Sequence, residues 1–517
     1  MTTQQENTKR IAKNTLMLYA RMLFMMAVSL FTSRITLATL GITDYGICNV
    51  VGGLVSMFSI ISGSLSVSIS RFITMEVGKG NEKKLNTIFS TSVSIQLFMS
   101  IVICILAEFV GLWFLNNKMV LPSDRLYAAH WVFHLSILTF IIDLISVPYN
   151  AVIIAHEKMS AFAYMSILDV ILKLIIVYML YISPFDKLIA FSALMTCVAI
   201  VMRIVYGTYC KRHFSEAHYR PHLDRGQLRE MFGFIGWTFW GNGVVVLKDQ
   251  GTNMILNIFC GPAVNAARGV AMQVNSAVYG FVQNFMTAVN PQITKSYSTG
   301  AVTDMHTLMV RSAKFSFFIL LTLLMPVCAN LDYILGLWLV EVPEHTANFI
   351  ILVLIYSLFD CYVNPLITGV LAEGRIKSYE IALTFIYIEN FIASYVFLKL
   401  GYQPEWVFLL NILFKFLVVI ALLWSAKRQF SFPVKTFIYK CALRNFIVFL
   451  LCSCFIILLP ISHVQSFVMF VSTTLIIVLF CILCISVIGM TKNERIYIVN
   501  IIKTKLHIRH LKYDSNK

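Results

Sequence analysis

The stretches DLISVPYNAVIIAHEK (143–158) and DCYVNPLITGVLAEGR (360–375) each set an aspartate five residues ahead of a proline inside apolar sequence. At an offset of 217, Asp143 meets Asp360, Pro148 meets Pro365, Ala155 meets Ala372 and Lys158 meets Arg375. Earlier in each copy, at an offset of 220, Gly41 meets Gly261, Ile73-Thr74 meets Ile293-Thr294 and Gly80 meets Gly300. The identities are few, but they keep their order. The chain reads as a duplicated unit.

Composition says what kind of unit. Of 517 residues, 58% are hydrophobic and 13% are charged. So few charges cannot cover a soluble core of this size, and apolar runs of about 20 residues, the length that crosses hydrocarbon, recur throughout. Fourteen spans are expected. The first six lie near 15–37, 45–70, 87–115, 128–155, 161–182 and 188–209. Six more lie near 232–260, 269–290, 312–339, 347–371, 381–400 and 405–426, and two follow near 445–461 and 466–490. Both Asp-x4-Pro units then fall in the fourth span of a six-span half.

The fold class expected is therefore an all-α polytopic membrane protein of about 14 transmembrane helices, two parallel six-helix bundles plus two C-terminal helices. The divisions are an N-terminal bundle at 1–210, a connector at 211–231 and a C-terminal bundle at 232–426. A second connector at 427–444, helices 13 and 14 at 445–490 and a basic tail at 491–517 complete the chain. Six is even, so the halves enter the membrane in the same direction, and paired bundles of that kind rock about a site between them. Alternating access of a solute is the natural inference.

The basic residues fix the direction. With the N-terminus inside, the inward connections and tails hold about 30 of the 41 Lys and Arg. The outward loops hold about five: Lys118, Arg125, Lys187, Arg268 and Lys399. That is a positive-inside pattern with both termini cytoplasmic. The net charge of +16 then needs no nucleic acid to explain it. The connectors KRHFSEAHYRPHLDRGQLRE (211–230) and KRQFSFPVK (427–435) face anionic membrane lipids, and the tail reads equally as an amphipathic interfacial helix or as a solvated basic segment. The first apolar run lacks a small-residue cleavage site and reads as a retained span.

Several features carry no chemistry. Cys481 and Cys484 have CxxC spacing, but inside an expected lipid-embedded helix with no second pair, and read as packing residues. His130 and His134 (HWVFH) have no acidic motif between them and sit at an expected helix end. No metal site and no catalytic residue is expected. There is no P-loop, no GxGxxG and no extramembrane loop large enough for an enzyme's acid, base or nucleotide-binding groups.

Ionisable groups inside the spans are costly and normally face a partner or a watery cavity. Near the midplane stand Asp143, Asp169, Asp249, Asp360 and Glu389 against Lys173, Lys248 and Lys415. Asp169 and Lys173, at i and i+4, pair along one helix. Asp143 with Pro148, Asp360 with Pro365, and Pro291 in AVNPQIT read as hinge elements, because proline removes a backbone donor and loosens the preceding turn. The unrepeated charges are more telling: Arg21 corresponds to Gly241, and Lys248 to Val28. If Arg21, Arg34, Lys248 and Arg268 converge, they suit a phosphate or pyrophosphate head group; internal ion pairing is the competing reading.

The 6+6+2 layout, the repeated proline unit and the stretches VNAARG (264–269) and AVNPQITK (288–295) resemble bacterial polysaccharide flippases of the multidrug, oligosaccharidyl-lipid and polysaccharide exporter superfamily. The likeness is nearest to O-antigen or capsule repeat-unit flippases, in the bacterial inner membrane. It implies translocation of an oligosaccharide on an isoprenoid pyrophosphate from the cytoplasmic to the outer leaflet, for lipopolysaccharide or capsule assembly. It also implies a polysaccharide polymerase and assembly proteins as partners. By helix position, it implies that Arg21, Arg34 and Arg268 line a cationic cavity and that spans 13 and 14 receive the lipid tail. A coupling site for Na+ or H+ would draw on Asp249, Glu389, Asn390 and Asn411, with no other cofactor. A cation-coupled multidrug exporter of the same superfamily is the alternative.

Overall fold

The computed structural model describes residues 14–29, scattered positions between 32 and 58, and then 59–117, 123–220, 225–339, 342–458, 466–491 and 494–495. Among these, all regular structure is helical. Ten of the described helices are long and apolar enough to cross a membrane. The first two expected spans lie partly outside the described residues.

In chain order the helices are α1 (14–29), α2 (Ser59–Lys79), α3 (Glu82–Leu106), α4 (Leu112–Asn117), α5 (Leu126–Ala155), α6 (Met159–Ile182) and α7 (Lys187–His213). There follow α8 (Arg225–Ser298), α9 (Val302–Ala329), α10 (Leu331–Trp338), α11 (Thr346–Glu373), α12 (Lys377–Lys399) and α13 (Glu405–Phe430). The last are α14 (Val434–Phe437), α15 (Leu443–Leu458) and α16 (Phe467–Cys484).

Local chemistry sets several of the ends. Gly80, at φ 70°, closes α2 in the left-handed conformation that glycine adopts without strain. Asn81 then caps α3 by accepting from the Lys84 amide at 3.1 Å. Asp186 caps α7 by accepting from the amides of Leu188 and Ile189, and the helix ends on Lys211, Arg212 and His213, which complement its dipole. Pro148, Pro365 and Pro326 are each accommodated inside a continuous helix, α5, α11 and α9.

The 74-residue run of α8 breaks at Gly261, whose φ of 86° and ψ of 177° are not helical. Arg268 Nη1 donates to Asn253 Oδ1 at 3.0 Å across that break. Along one straight helix the two would stand about 22 Å apart, so the chain doubles back there. The two arms correspond to the expected seventh and eighth spans.

The chain forms two compact units. The first comprises Met1–Gln250, Asn284–Met305 and Ile367–Ile388; the second comprises Gly251–Gln283, His306–Leu366 and Glu389–Lys517. In the first, α5 packs against α2, α3 and α7 around Val51, Ala129, Val132, Phe133 and Leu188. Leu18, Met159 and Ala288 form a further buried cluster of that unit. The connector after α7 folds back onto it: Asn86 donates to the carbonyls of Glu216 and His218, and His156 Nε2 lies 2.5 Å from Glu216 Oε1. In the second, stacked rings set the packing, with Phe349 on Phe408 at 4.3 Å and Phe455 of α15 on Phe480 of α16 at 3.8 Å.

Candidate functional site

An arginine on α1 organises the polar interior of the first unit. Arg21 donates from Nη1 to Ser166 Oγ and from Nη2 to Asn284 Oδ1, each at 3.2 Å. Its guanidinium also lies over the Phe162 ring, 4.7 Å from the centroid. Three parts of the sequence thus converge on one cation: α1, the first turns of α6, and the second arm of α8. Among the described residues its contacts are all to neutral groups, and Nε is buried without a hydrogen-bond partner. A guanidinium held this way keeps its full charge and one free donor, which is what binding an anion requires.

The nearby carboxylate is already engaged. Asp169 Oδ2 accepts from Lys173 Nζ at 2.7 Å, the i, i+4 pair expected from spacing. Tyr206 lies within electrostatic reach of both Arg21 and Asp169. Asp143 lies within electrostatic reach of Lys173 and Asp169, while its own side chain remains exposed.

Lys248, also in the first unit, is buried. Its Nζ is 3.3 Å from Asp249 Oδ1 and 6.0 Å from the Tyr387 ring centroid. A carboxylate next door in sequence therefore moderates its charge. Arg34 lies outside the described residues. Arg268 belongs to the second unit, where its partner is the Asn253 amide.

The residues expected to hold a coupling ion divide between units. Asp249 is in the first. In the second, Asn390 donates to Asn411 Oδ1 at 3.0 Å, with Ser394 donating to Asn390 Oδ1 at 3.3 Å. Asn390 and Asn411 are buried, whereas Glu389 is exposed. The hinge residues show a different pattern. Asp360 forms an ion pair with Lys415 at 2.5 Å, and Lys415 lies over Tyr356. One turn before Asp360, Ser357 donates to Asn275 Oδ1 at 2.6 Å.

A second set of contacts in the first unit joins residues of the two sequence halves at the end where the connector lies. Asn242 donates to Ser64 Oγ at 2.9 Å, and Ser68 and Thr238 share a hydrogen bond of 3.2 Å. Arg71 donates to the carbonyls of Leu371 and Ala372 at the end of α11, with its guanidinium between Phe72 and Phe234. Gln292 donates to the Glu157 carboxylate. These polar contacts escape the sequence reading. Only the i, i+4 spacing of Ser64 with Ser68, and of Thr238 with Asn242, hints at a polar stripe on each helix.

Among the described residues no group of His, Cys, Asp and Glu has the arrangement of a metal site, and the cysteines are free. His134 lies 2.9 Å from Glu108 rather than acting with His130.

No protein-family model matches the chain, and no curated protein matches it. Solved structures do. The chain is similar to a MATE protein in the bent conformation, with a TM-score of 0.70 at 12% identity over 84% of this chain and 99% of that one. It is similar to a multidrug resistance MATE family transporter of the MOP superfamily in its outward-facing conformation, with a TM-score of 0.66 at 14% identity over 84% and 99%. A MOP superfamily transporter from Pyrococcus furiosus, described as having a binding pocket of reverse polarity that suggests a different function, gives a TM-score of 0.65 at 14% identity over 83% and 98%. At such identities the likeness establishes the fold alone, the one these MATE and MOP superfamily structures share.

Proposed function

We propose that the chain is a secondary transporter that works by alternating access and whose cargo carries an anionic, phosphate-bearing head. The cargo class that fits best is an oligosaccharide repeat unit on an isoprenoid pyrophosphate. The chain would flip it from the cytoplasmic to the outer leaflet of a bacterial inner membrane, with both termini cytoplasmic. The observation that carries this reading is Arg21, a guanidinium that among the described residues hydrogen-bonds only Ser166 and Asn284 and lies over the Phe162 face, with a buried Nε left over. A pocket built for cations would set a carboxylate there instead. Moving such a cargo means carrying a bulky polar head through hydrocarbon while the prenyl tail stays in lipid, and helices α15 and α16 supply apolar surface suited to that tail.

A second reading is a cation-coupled multidrug exporter. The named solved relatives stand with it, since one is a multidrug resistance transporter, and by comparison alone it is the better supported of the two. The reverse-polarity relative supports the view that this fold accommodates either sign of cargo.

A host strain deleted for the gene separates the two. Complementation is scored by surface polysaccharide, by lipid-linked repeat units retained on the inner leaflet, and by drug susceptibility. The anionic reading expects Arg21→Glu to abolish export of repeat units while leaving the protein in the membrane. Full polysaccharide export by both Arg21→Glu and Lys248→Glu sinks it. Drug susceptibility that rises on deletion, with polysaccharide unchanged, establishes the exporter instead.

A further inference from the structure

We propose that Glu380 is a protonation switch for the connector-end contacts, which close when its carboxyl is neutral and part when it is ionised. The proposal rests on the alternating-access reading only in taking these contacts as ones that open.

Glu380 stands in the first turn of α12 and is 5% exposed. Its Oε2 is buried without a hydrogen-bond partner. The carboxyl lies directly against the backbone of Gly241 on α8, where even a Cβ would overlap it. A first-turn acid normally gains from the helix dipole and from water. Here Oε2 is shut off from water, and among the described residues no donor takes its place.

Among the described residues none forms an ion pair with Glu380. Lys377, one turn earlier, is drawn away over the Trp237 ring at 5.6 Å. Lys248, two turns deeper on α8, is engaged with Asp249. On α2, Arg71 is committed to the carbonyls of Leu371 and Ala372. On the turn before α12, Arg375 is held by Glu373. An ionised carboxylate buried without a donor or cation is far costlier than the neutral acid. The closed arrangement therefore selects the protonated form.

The position of Glu380 links that choice to the contacts. The segment 237–242 of α8 is packed on two sides within the first unit. Thr238 and Asn242, at i and i+4, meet Ser68 and Ser64 of α2. Trp237, Trp240 and Gly241 meet Lys377, Thr384 and Glu380 of α12, with Trp240 Nε1 donating to Thr384 Oγ1 at 2.9 Å. Losing the proton leaves a carboxylate whose two oxygens both seek hydration, and hydrating Oε2 requires α12 to move off Gly241. The same α8 segment then loses its backing against α2. By the charge pattern this end faces the cytoplasm, so the switch reads cytoplasmic pH.

The test reads the contacts, not the cargo, so its failure is distinct from failure of the transport reading. Cysteines introduced by Ser68→Cys and Thr238→Cys are oxidised in the full-length protein in liposomes. The rate is measured against pH in two backgrounds, Glu380 and Glu380→Gln, whose ratio cancels the general dependence of thiol oxidation on thiolate. The expected ratio is near one at low pH and falls severalfold as pH rises, because glutamine stays neutral. Infrared difference spectra should show the C=O stretch of a carboxylic acid at neutral pH that Glu380→Gln removes. A ratio that is flat with pH, or a spectrum without that band, overturns the proposal. If Glu380→Gln fails to insert, the infrared band of the unmodified protein and its loss on alkalinisation decide alone.

Discussion

Asp143 and Asp360 stand five residues ahead of prolines in helices of similar length, α5 with 30 residues and α11 with 28. Their surroundings treat them differently. Asp360 is tied to Lys415 at 2.5 Å, with side-chain exposures of 22% and 7%. Asp143 has an exposed side chain, and the lysine nearest in charge, Lys173, is paired to Asp169 instead, at exposures of 43% and 27%. A duplicated motif has thus become a buried strut in one copy and an open acid in the other. Duplication supplies the scaffold twice, and the side chains around it decide which copy is left to interact.

The largest effect should come from breaking the strut. Lys415→Met leaves Asp360 without its cation, and removing one partner of a buried pair typically costs about 3–5 kcal/mol, toward the lower end here because Asp360 is partly accessible. The thermal midpoint in detergent should fall markedly, and an unchanged midpoint would show that water replaces the lysine. Asp360→Asn should fall short of that but remain clearly destabilising, since Lys415 is then the stranded charge. Asp143→Asn should cost less stability than either, because among the described residues it breaks no ion pair. It should nevertheless reduce transport, and equal losses of stability in the two Asn variants would erase the distinction.

The two units also differ in how a carboxylate anchors a trailing segment. In the second, buried Lys314 holds Glu494 at 2.7 and 2.5 Å, and Glu494 in turn forms a capping box with Thr491. In the first, His156 holds Glu216. For both acids burial alone would raise the carboxyl, but the hydrogen bonds, led by the one to Lys314 or to His156, outweigh it and hold the group below its ordinary value. A depressed carboxylate stabilises above its unfolded value and loses that contribution as pH falls through the folded one. Thermal midpoints should therefore fall on acidification, and Glu494→Gln should flatten the part of the profile due to the second unit. The smallest effect belongs to the half-exposed pair: Lys173→Ala should cost about 0.3–0.5 kcal/mol, close to the limit of a thermal measurement.

Much of the fold was legible because hydropathy is local and additive: a run of apolar residues declares a span without knowledge of its neighbours. The Asp169–Lys173 pair was legible for the same reason, since four residues on one helix suffice to specify it. Lys415 and Asp360 belong to different helices, and no spacing rule joins them. Arg21 stood out by lacking a counterpart in the repeat, yet its partners Ser166 and Asn284 lie 145 and 263 residues away. Glu380 gave no sign at all, because an acid in the first turn of a helix is ordinary until packing removes its water.

Arg71 bears on how the protein is made. It caps carbonyls 300 and 301 residues further along the chain, where Gly374, at φ 97°, has no Cβ to block its guanidinium. During synthesis α2 therefore enters the bilayer long before the helix end that will receive its arginine exists. Until then Arg71 must remain in the water and headgroup layer. Co-expressed halves cut in the connector should still assemble, because the first half waits in that state in every nascent chain.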